Sequence, residues 1–246
     1  MTRVRPVHWA SVSCPWRVAR AERPTVSSNK LLARLSRADL RLLEPRLEAV
    51  ELPVRMELQG RNKRVTQVYF LDSGVASIVA NGERAIEVGM IGREGMTGVT
   101  VLLGDRDRFP HEIYMQIAGR GRRMSAARLR EAIAESAKLH QILLRSAHAF
   151  LTQTTQTALA NGRSKIEERL ARWLLMARDR LDGDEVPLTQ EFLAVMLGVR
   201  RSGVTTALQE LERRGLIVQR YSRVTIMDRE GLEECSNGSY TPPNDD

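Results

Sequence analysis

The chain has 246 residues, 42% hydrophobic and only 4% aromatic, so it is long enough for two domains with largely aliphatic cores. Its 38 Lys and Arg against 30 Asp and Glu give a formal charge of +8, a balance that draws a protein of this size to polyanions. Two distant cysteines, Cys14 and Cys235, exclude a disulfide framework and a Cys-rich metal site, and no run approaches the ~18 apolar residues of a membrane span. The expected location is the cytoplasm.

Residues 1–28 carry Arg3, Arg5, Arg17, Arg20 and Arg23 against one acid, Glu22, and Pro6, Pro15 and Pro24 interrupt any helix. No continuous apolar segment marks a secretory signal, and the stretch reads as a flexible basic tail. From 30 to 50, "KLLARLSRADLRLLEPRLEAV" shows apolar residues at helical spacing, with Ser36 as N-cap. The period then changes. "QVYFLDSGVASIVANGERAIEVGMIG" reads as short strands separated by turns at Asp72-Ser73-Gly74 and Asn81-Gly82, and residues 113–117 offer another strand. A β-sandwich or roll of about eight short strands is expected over roughly 54–124.

Helical periodicity returns with Ser125 capping "AARLREAIAES". Residues 139–161 then run without Pro or Gly, and His140, Leu144, Ala147, Leu151, Thr154 and Ala158 fall at alternating spacings of four and three. Such a seam suits a dimer helix, with small residues allowing close approach. Gly162 marks a bend or break. "SKIEERLARWLLMARDRL" follows as an amphipathic helix with Ile166, Leu170, Trp173, Leu174 and Ala177 on one face, ended by Asp182-Gly183-Asp184. The last ten residues, 237–246, are expected to be disordered.

The most informative stretch is "LTQEFLAVMLGVRRSGVTTALQELERRGL", residues 188–216. Thr189 is a good N-cap, with Leu188 and Leu193 placed as a hydrophobic staple. Ala194, then Gly198 four residues on, then Val204, is the spacing of two short helices crossing at a tight turn. Val204, Ala207, Leu208 and Leu211 face the first helix. Ser202, Thr206, Gln209 and Arg213 line the opposite side, flanked by Thr205, with lengths and chemistry suited to base edges. Arg200 and Arg201 open the second helix, where the macrodipole and unpaired N–H groups disfavour cations. A polyanion explains them: phosphate or guanine supplies the missing negative partner. Gly203 is expected to permit close backbone approach. Two strands around Tyr221-Ser222 form a wing with Arg220 and Arg223 at its tip. Between 197 and 227, six arginines stand against two acids, the footprint of phosphate contact.

A β-roll, a long helix and a winged helix-turn-helix, in that order, resemble the Crp/Fnr family of bacterial transcription regulators over about residues 31–234. "LTQEFLAVMLGVRRSGVT" and "YSRVTIMDREGLE" carry the likeness most specifically. The resemblance implies an α+β chain with an N-terminal double-stranded β-helix (a cyclic-nucleotide-binding-like jelly roll), a long dimerisation helix and a C-terminal winged helix-turn-helix. The corresponding divisions are a tail over 1–28, a sensor over 29–134, a dimer helix over 135–162, a DNA-binding domain over 163–236 and a tail over 237–246. It further implies a homodimer on a two-fold operator of double-stranded DNA, with half-sites about 34 Å apart, and RNA polymerase as a further partner. The residues expected at DNA are Thr189, Gln190, Arg200, Arg201, Ser202, Gly203, Thr205, Thr206, Gln209, Arg213, Arg220, Tyr221, Ser222 and Arg223.

The sensor departs from the cyclic-nucleotide pattern of that family. Gly98-Val99-Thr100 stands where Gly-Glu-Leu holds the ribose, so the carboxylate is missing, and the later Arg-Ser or Arg-Thr pair is absent. Arg106 and Arg108 are the nearest cations for an anion, and a buried anion without its arginine is costly. Cyclic AMP is thereby disfavoured, leaving another small effector or none. No metal or cofactor is expected. An enzyme reading lacks support: His8, His111, His140 and His148 are scattered, and no nucleophile elbow, Walker loop or HExxH occurs. A regulatory or RNA-binding module remains the rival, although Tyr221 is the only aromatic near the basic face.

Overall fold

The computed structural model describes residues 27–81, 85–104 and 108–242. The basic tail up to residue 26, Gly82 of the hairpin dipeptide, Arg106 and residues 243–246 lie outside the described residues.

The chain begins with two short helices, α1 (Lys30–Ala33) and α2 (Arg37–Leu43), and a 3-10 turn over Glu44–Arg46. Ser36 caps α2 by accepting from the Asp39 N–H. The helical period read over 30–50 stops early because Pro45 enters the tight turn, and β1 (Glu48–Leu52) follows. Six more strands complete the roll: β2 (Glu57–Gln59), β3 (Gln67–Leu71), β4 (Val75–Asn81), β5 (Ala85–Ile91), β6 (Glu112–Ile117) and β7 (Gly119–Ser125). They form an antiparallel three-stranded sheet, β1-β7-β3, and a four-stranded sheet, β2-β6-β4-β5. Among the described residues the roll therefore has seven strands over 48–125, against the expectation of about eight over roughly 54–124. Leu52, Tyr69 and Leu71 of one sheet meet Ile78, Ile113 and Met115 of the other in a shared core. Gly74 holds the turn after β3 at φ 81°, where an added Cβ would lie 2.7 Å from the Ile117 carbonyl oxygen.

A one-turn helix, α3 (Val99–Leu102), interrupts the roll, and α4 (Ala126–Glu135), capped by Ser125, leads into the 27-residue α5 (Ala137–Arg163). Gly162 does not break α5, which ends only at Ser164. The expected seam is split between two faces. His140 donates to the Leu102 carbonyl at 2.8 Å, Ala147 packs on the core beneath α1 to α4, and the Thr154 methyl lies beside Gly89. These three face their own roll, where Gln153 also accepts from the Met90 N–H at 2.7 Å and donates to its carbonyl at 3.0 Å. Leu144, Leu151 and Ala158 remain exposed, with Leu159 beside them.

Beyond α5, α6 (Ile166–Arg178) is buried continuously from Leu170 to Ala177, although its sequence pattern predicts a single apolar face. The second face is covered because Val75, Val79, Met90 and Ile117 of the roll share its core with the C-terminal helices. Around α6 stand β8 (Glu185–Pro187), α7 (Gln190–Leu197), α8 (Arg201–Arg213), β9 (Ile217–Arg220), β10 (Arg223–Ile226) and α9 (Arg229–Cys235). Strand β8 joins β10 and β9 in a sheet of order β8-β10-β9, a third strand that the sequence reading lacks.

The segment after α9 does not meet the expectation of disorder from residue 237. Ser239 accepts from Arg172 Nε at 2.9 Å through its carbonyl, and the Tyr240 hydroxyl donates to Asp179. A buried guanidinium needs an acceptor, and this segment supplies it.

Candidate nucleic-acid interface

Helix α7 starts where Thr189 accepts from the Phe192 N–H at 3.3 Å and stops at Gly198, whose φ of 62° reverses the chain. The α7 end is braced from α6, since Arg169 donates to the Leu197 carbonyl. Helix α8 follows after Val199, and its buried stripe is the predicted one: Val204, Ala207, Leu208 and Leu211. Gly203 has a different role from the one expected. A Cβ there would lie 3.2 Å from Ile166 Cδ1, so Gly203 lets α8 pack on α6 and does not face outward to a duplex.

The α8 N-terminus is what the sequence anticipates in charge. Arg200 occupies the N-cap with no side-chain acceptor, and the first turn contains no acid. Arg200, Arg201, Ser202, Thr206 and Gln209 are exposed on one side of the helix. Thr205 is turned inward instead, donating to Gln190 Oε1 at 2.9 Å, and this pair ties α8 to α7.

The six arginines of this region fall into two groups. Arg213 is paired with Glu210 at 3.0 and 2.7 Å; the hydrogen bonds between them hold the carboxyl below its usual range and the guanidinium above. Arg223 pairs with Glu185 at 2.6 Å, and Arg214 lies 3.1 Å from the Cys235 sulfur. Arg200, Arg201 and Arg220 are exposed and have no ion-pair partner among the described residues. The basic footprint is thus narrower than the count of six suggests.

Between the helix starts and the wing lies an open crevice of about 220 Å3, lined by Thr189, Gln190, Glu191, Arg201, Gln219, Tyr221 and Ser222. The sequence reading did not single out Glu191 or Gln219. Gln219 follows from strand alternation, whereas Glu191 is a first-turn acid whose direction only the fold gives. The wing is held to the helix-turn-helix by the Leu188 N–H, which donates to the Ser222 carbonyl at 2.8 Å. At its tip Tyr221 is 104% exposed with φ 50°, a backbone state uncommon for a bulky residue. A nucleic-acid edge entering the crevice would meet hydroxyls, amides, the Arg201 guanidinium and the Glu191 carboxylate.

The sensor half is differently built. Gly98 at φ 80° caps α3, and a Cβ there would lie 2.6 Å from Val68. Gly98 and Val99 line an interior cavity of about 20 Å3 with Gln59, Val65, Ile78, Ile91, Phe109, Ile113 and Phe150. Thr100 and Arg108 are not among the lining residues; Arg108 is exposed and directed at the Asn62 carbonyl at 3.5 Å. The Gln59 amide is spent on the Gly60 and Lys63 carbonyls.

Among the described residues no group of three or more His, Cys, Asp or Glu is placed to hold a metal ion, and no helix is long and apolar enough to cross a membrane.

Residues 168–235 match the model of the Crp-like helix-turn-helix domain. A search of curated proteins by sequence returns no significant match. Solved structures give many. TTHB099, a CRP-family transcriptional regulator of Thermus thermophilus, superposes with a TM-score of 0.65 at 17% identity, covering 80% of this chain and 100% of that one. FixK2 of Bradyrhizobium japonicum gives 0.66 at 17%, covering 77% and 96%, and CLP, the c-di-GMP-responsive global regulator of Xanthomonas campestris, gives 0.62 at 18%, covering 78% and 99%. The chain has the Crp/Fnr regulator fold: a β-roll, a long helix and a C-terminal Crp-like helix-turn-helix. Of these proteins, TTHB099 is described as a transcriptional regulator and CLP as a global regulator.

Proposed function

We propose that this protein is a transcription regulator that binds double-stranded DNA as a homodimer, each α8 lying in a major groove of a two-fold operator. The observation that carries the reading is that Arg200 and Arg201 at the start of α8 and Arg220 in the wing are exposed and have no ion-pair partner among the described residues, with Arg201 lining the crevice. Three cations held at a helix start and a wing tip, forming no ion pair although Glu191 lines the crevice with Arg201, are stabilised by a polyanion. Ser202, Thr206 and Gln209 are the base-reading candidates; Thr189, Gln190, Tyr221 and Ser222 line the phosphate side. Arg213 and Arg223 join only by exchanging their carboxylate partners for phosphate. The exposed Leu144, Leu151, Ala158 and Leu159 form the face offered to the second subunit.

The effector is not a cyclic nucleotide in this reading. A cavity of about 20 Å3 has room for about one water, and among the described residues no lining side chain is charged. The regulator works in the cytoplasm, either without a small effector or with an uncharged one that opens the roll.

Selection of bound sequences from random duplex DNA, followed by gel shift against single-stranded RNA of equal length, tests the proposal. A palindromic consensus with steep salt dependence supports it. Equal binding of RNA, or no binding of any duplex at low salt, overturns it.

A further inference from the structure

The junction between the roll and the winged-helix unit contains a buried carboxyl that DNA binding does not use. Glu87 of β5 is 5% exposed, and Trp173 of α6 donates its indole N–H to Glu87 Oε1 at 2.9 Å. At the other oxygen, Oε2, lies the hydroxyl of Ser77 on β4, and the same hydroxyl touches Oε1 of Gln116 on β6. All of these groups are buried.

A hydroxyl carries one proton, so Ser77 can serve only one of the two oxygens that face it. The pairing closes when Glu87 is an acid: Oε2–H donates to Ser77, Ser77 donates to Gln116, and Trp173 donates to Oε1. With Glu87 ionised, one oxygen pair is left without a hydrogen. Relief then requires Gln116 to turn its amide, bringing in the Nε2 that is buried without a partner here, or the contact to open.

The charged groups around Glu87 do not remove this conflict. Arg172 of α6 and Arg180 of the turn just after it act on it, and the Tyr114 phenol of β6 also faces it. Arg180 is committed to Glu94 at 2.7 Å and to the Met176 carbonyl, and Arg172 to Thr157 and Ser239. From α5 the side chains against β5 are the uncharged Phe150, Gln153 and Thr154; from the α7 end it is Gly198, against Ile86.

We propose that Glu87 is a proton-operated latch between the β-roll and the winged-helix unit, closed on Trp173 as the acid and loosened when the carboxyl ionises. Burial pushes the carboxyl from its ordinary 4.5 up to about 7, outweighing Ser77, Trp173 and the two arginines. A carboxyl raised in the docked state favours docking at low pH. That contribution is complete below about 4.5 and is lost as pH rises through about 7. The latch operates without DNA.

The test uses the full chain with Trp9→Phe and Trp16→Phe, which leaves Trp173 as the single indole. Its emission is followed from about pH 5.5 to about pH 8.5, a range that spans neutrality. A sigmoidal shift with its midpoint near 7, abolished by Glu87→Gln with emission fixed at the acid limit, is the expected result. Flat emission in the Glu87 chain, or the same titration in Glu87→Gln, overturns the proposal. Should Glu87→Gln fail to fold, hydrogen exchange of the α6 and β5 amides in the unsubstituted chain decides. Exchange that accelerates with pH beyond intrinsic base catalysis supports the latch, and no excess overturns it.

Discussion

At the scale of single residues, partners matter more than charges. Arg201 and Arg213 lie on the same helix, yet one is unpaired and the other spends its guanidinium on Glu210. Arg201→Ala is therefore expected to weaken operator binding by about 1–3 kcal/mol, as for a lost base contact, while leaving thermal stability unchanged. Arg220→Ala should weaken all duplexes alike and lower the salt slope by about one, whereas Arg223→Ala, which also frees Glu185, should change the slope less. Fluorescence anisotropy over a salt series checks both. The pairing of Arg213 was legible in sequence, since Glu210 lies three residues before it, but Glu185 stands 38 residues from Arg223 and only the β8–β10 pairing unites them. Gly198 is a different kind of residue. Its φ of 62° and an Ile86 Cδ1 only 2.8 Å from an added Cβ mean that Gly198→Ala should cost at least about 1–2 kcal/mol, measured by denaturant unfolding.

Among the elements, the helix-turn-helix pair was readable because what defines it is local: a Thr cap, a left-handed Gly and a stripe at i, i+3, i+4 and i+7. The long helix was not, because a heptad count shows a repeat without showing which face the roll covers. Phe150 and Gln153, each near the counted seam, clamp α5 onto β5 and rotate half of that seam inward. The correction makes a discriminating prediction. Leu151→Glu, on the exposed stripe, should turn the proposed dimer into a monomer in sedimentation without lowering the melting midpoint. Leu143→Ala, at a fully buried position on the same helix, should cost about 2–5 kcal/mol of stability. The strands of the roll show the same limit: β1 pairs with β7, and no local pattern signals a partner some 70 residues away.

For the molecule as a whole, α6 is the shared element. Its core includes side chains from the roll and from the helix-turn-helix, so the two halves do not have independent interiors. The Trp173–Glu87 contact joins positions 86 apart, and a tryptophan on a helical apolar face carries no sign of a carboxyl partner. Because Glu87 is raised to about 7, the melting midpoint of the chain should fall as pH rises from 6 to 8, with the fall removed in Glu87→Gln; scanning calorimetry in buffers of equal ionic strength measures it.

The segment after α9 fastens this shared element from behind. The Ser239 carbonyl accepts from Arg172, and Tyr240 sits between Asp179 and Arg229. Shortening the chain to residue 238 would leave the buried Arg172 guanidinium with Thr157 but without its Ser239 acceptor, at a cost of about 1.5–3 kcal/mol for the charged hydrogen bond alone. What looks like a dispensable fringe is a strap, and a purification handle that replaced it would weaken the fragment it was meant to deliver.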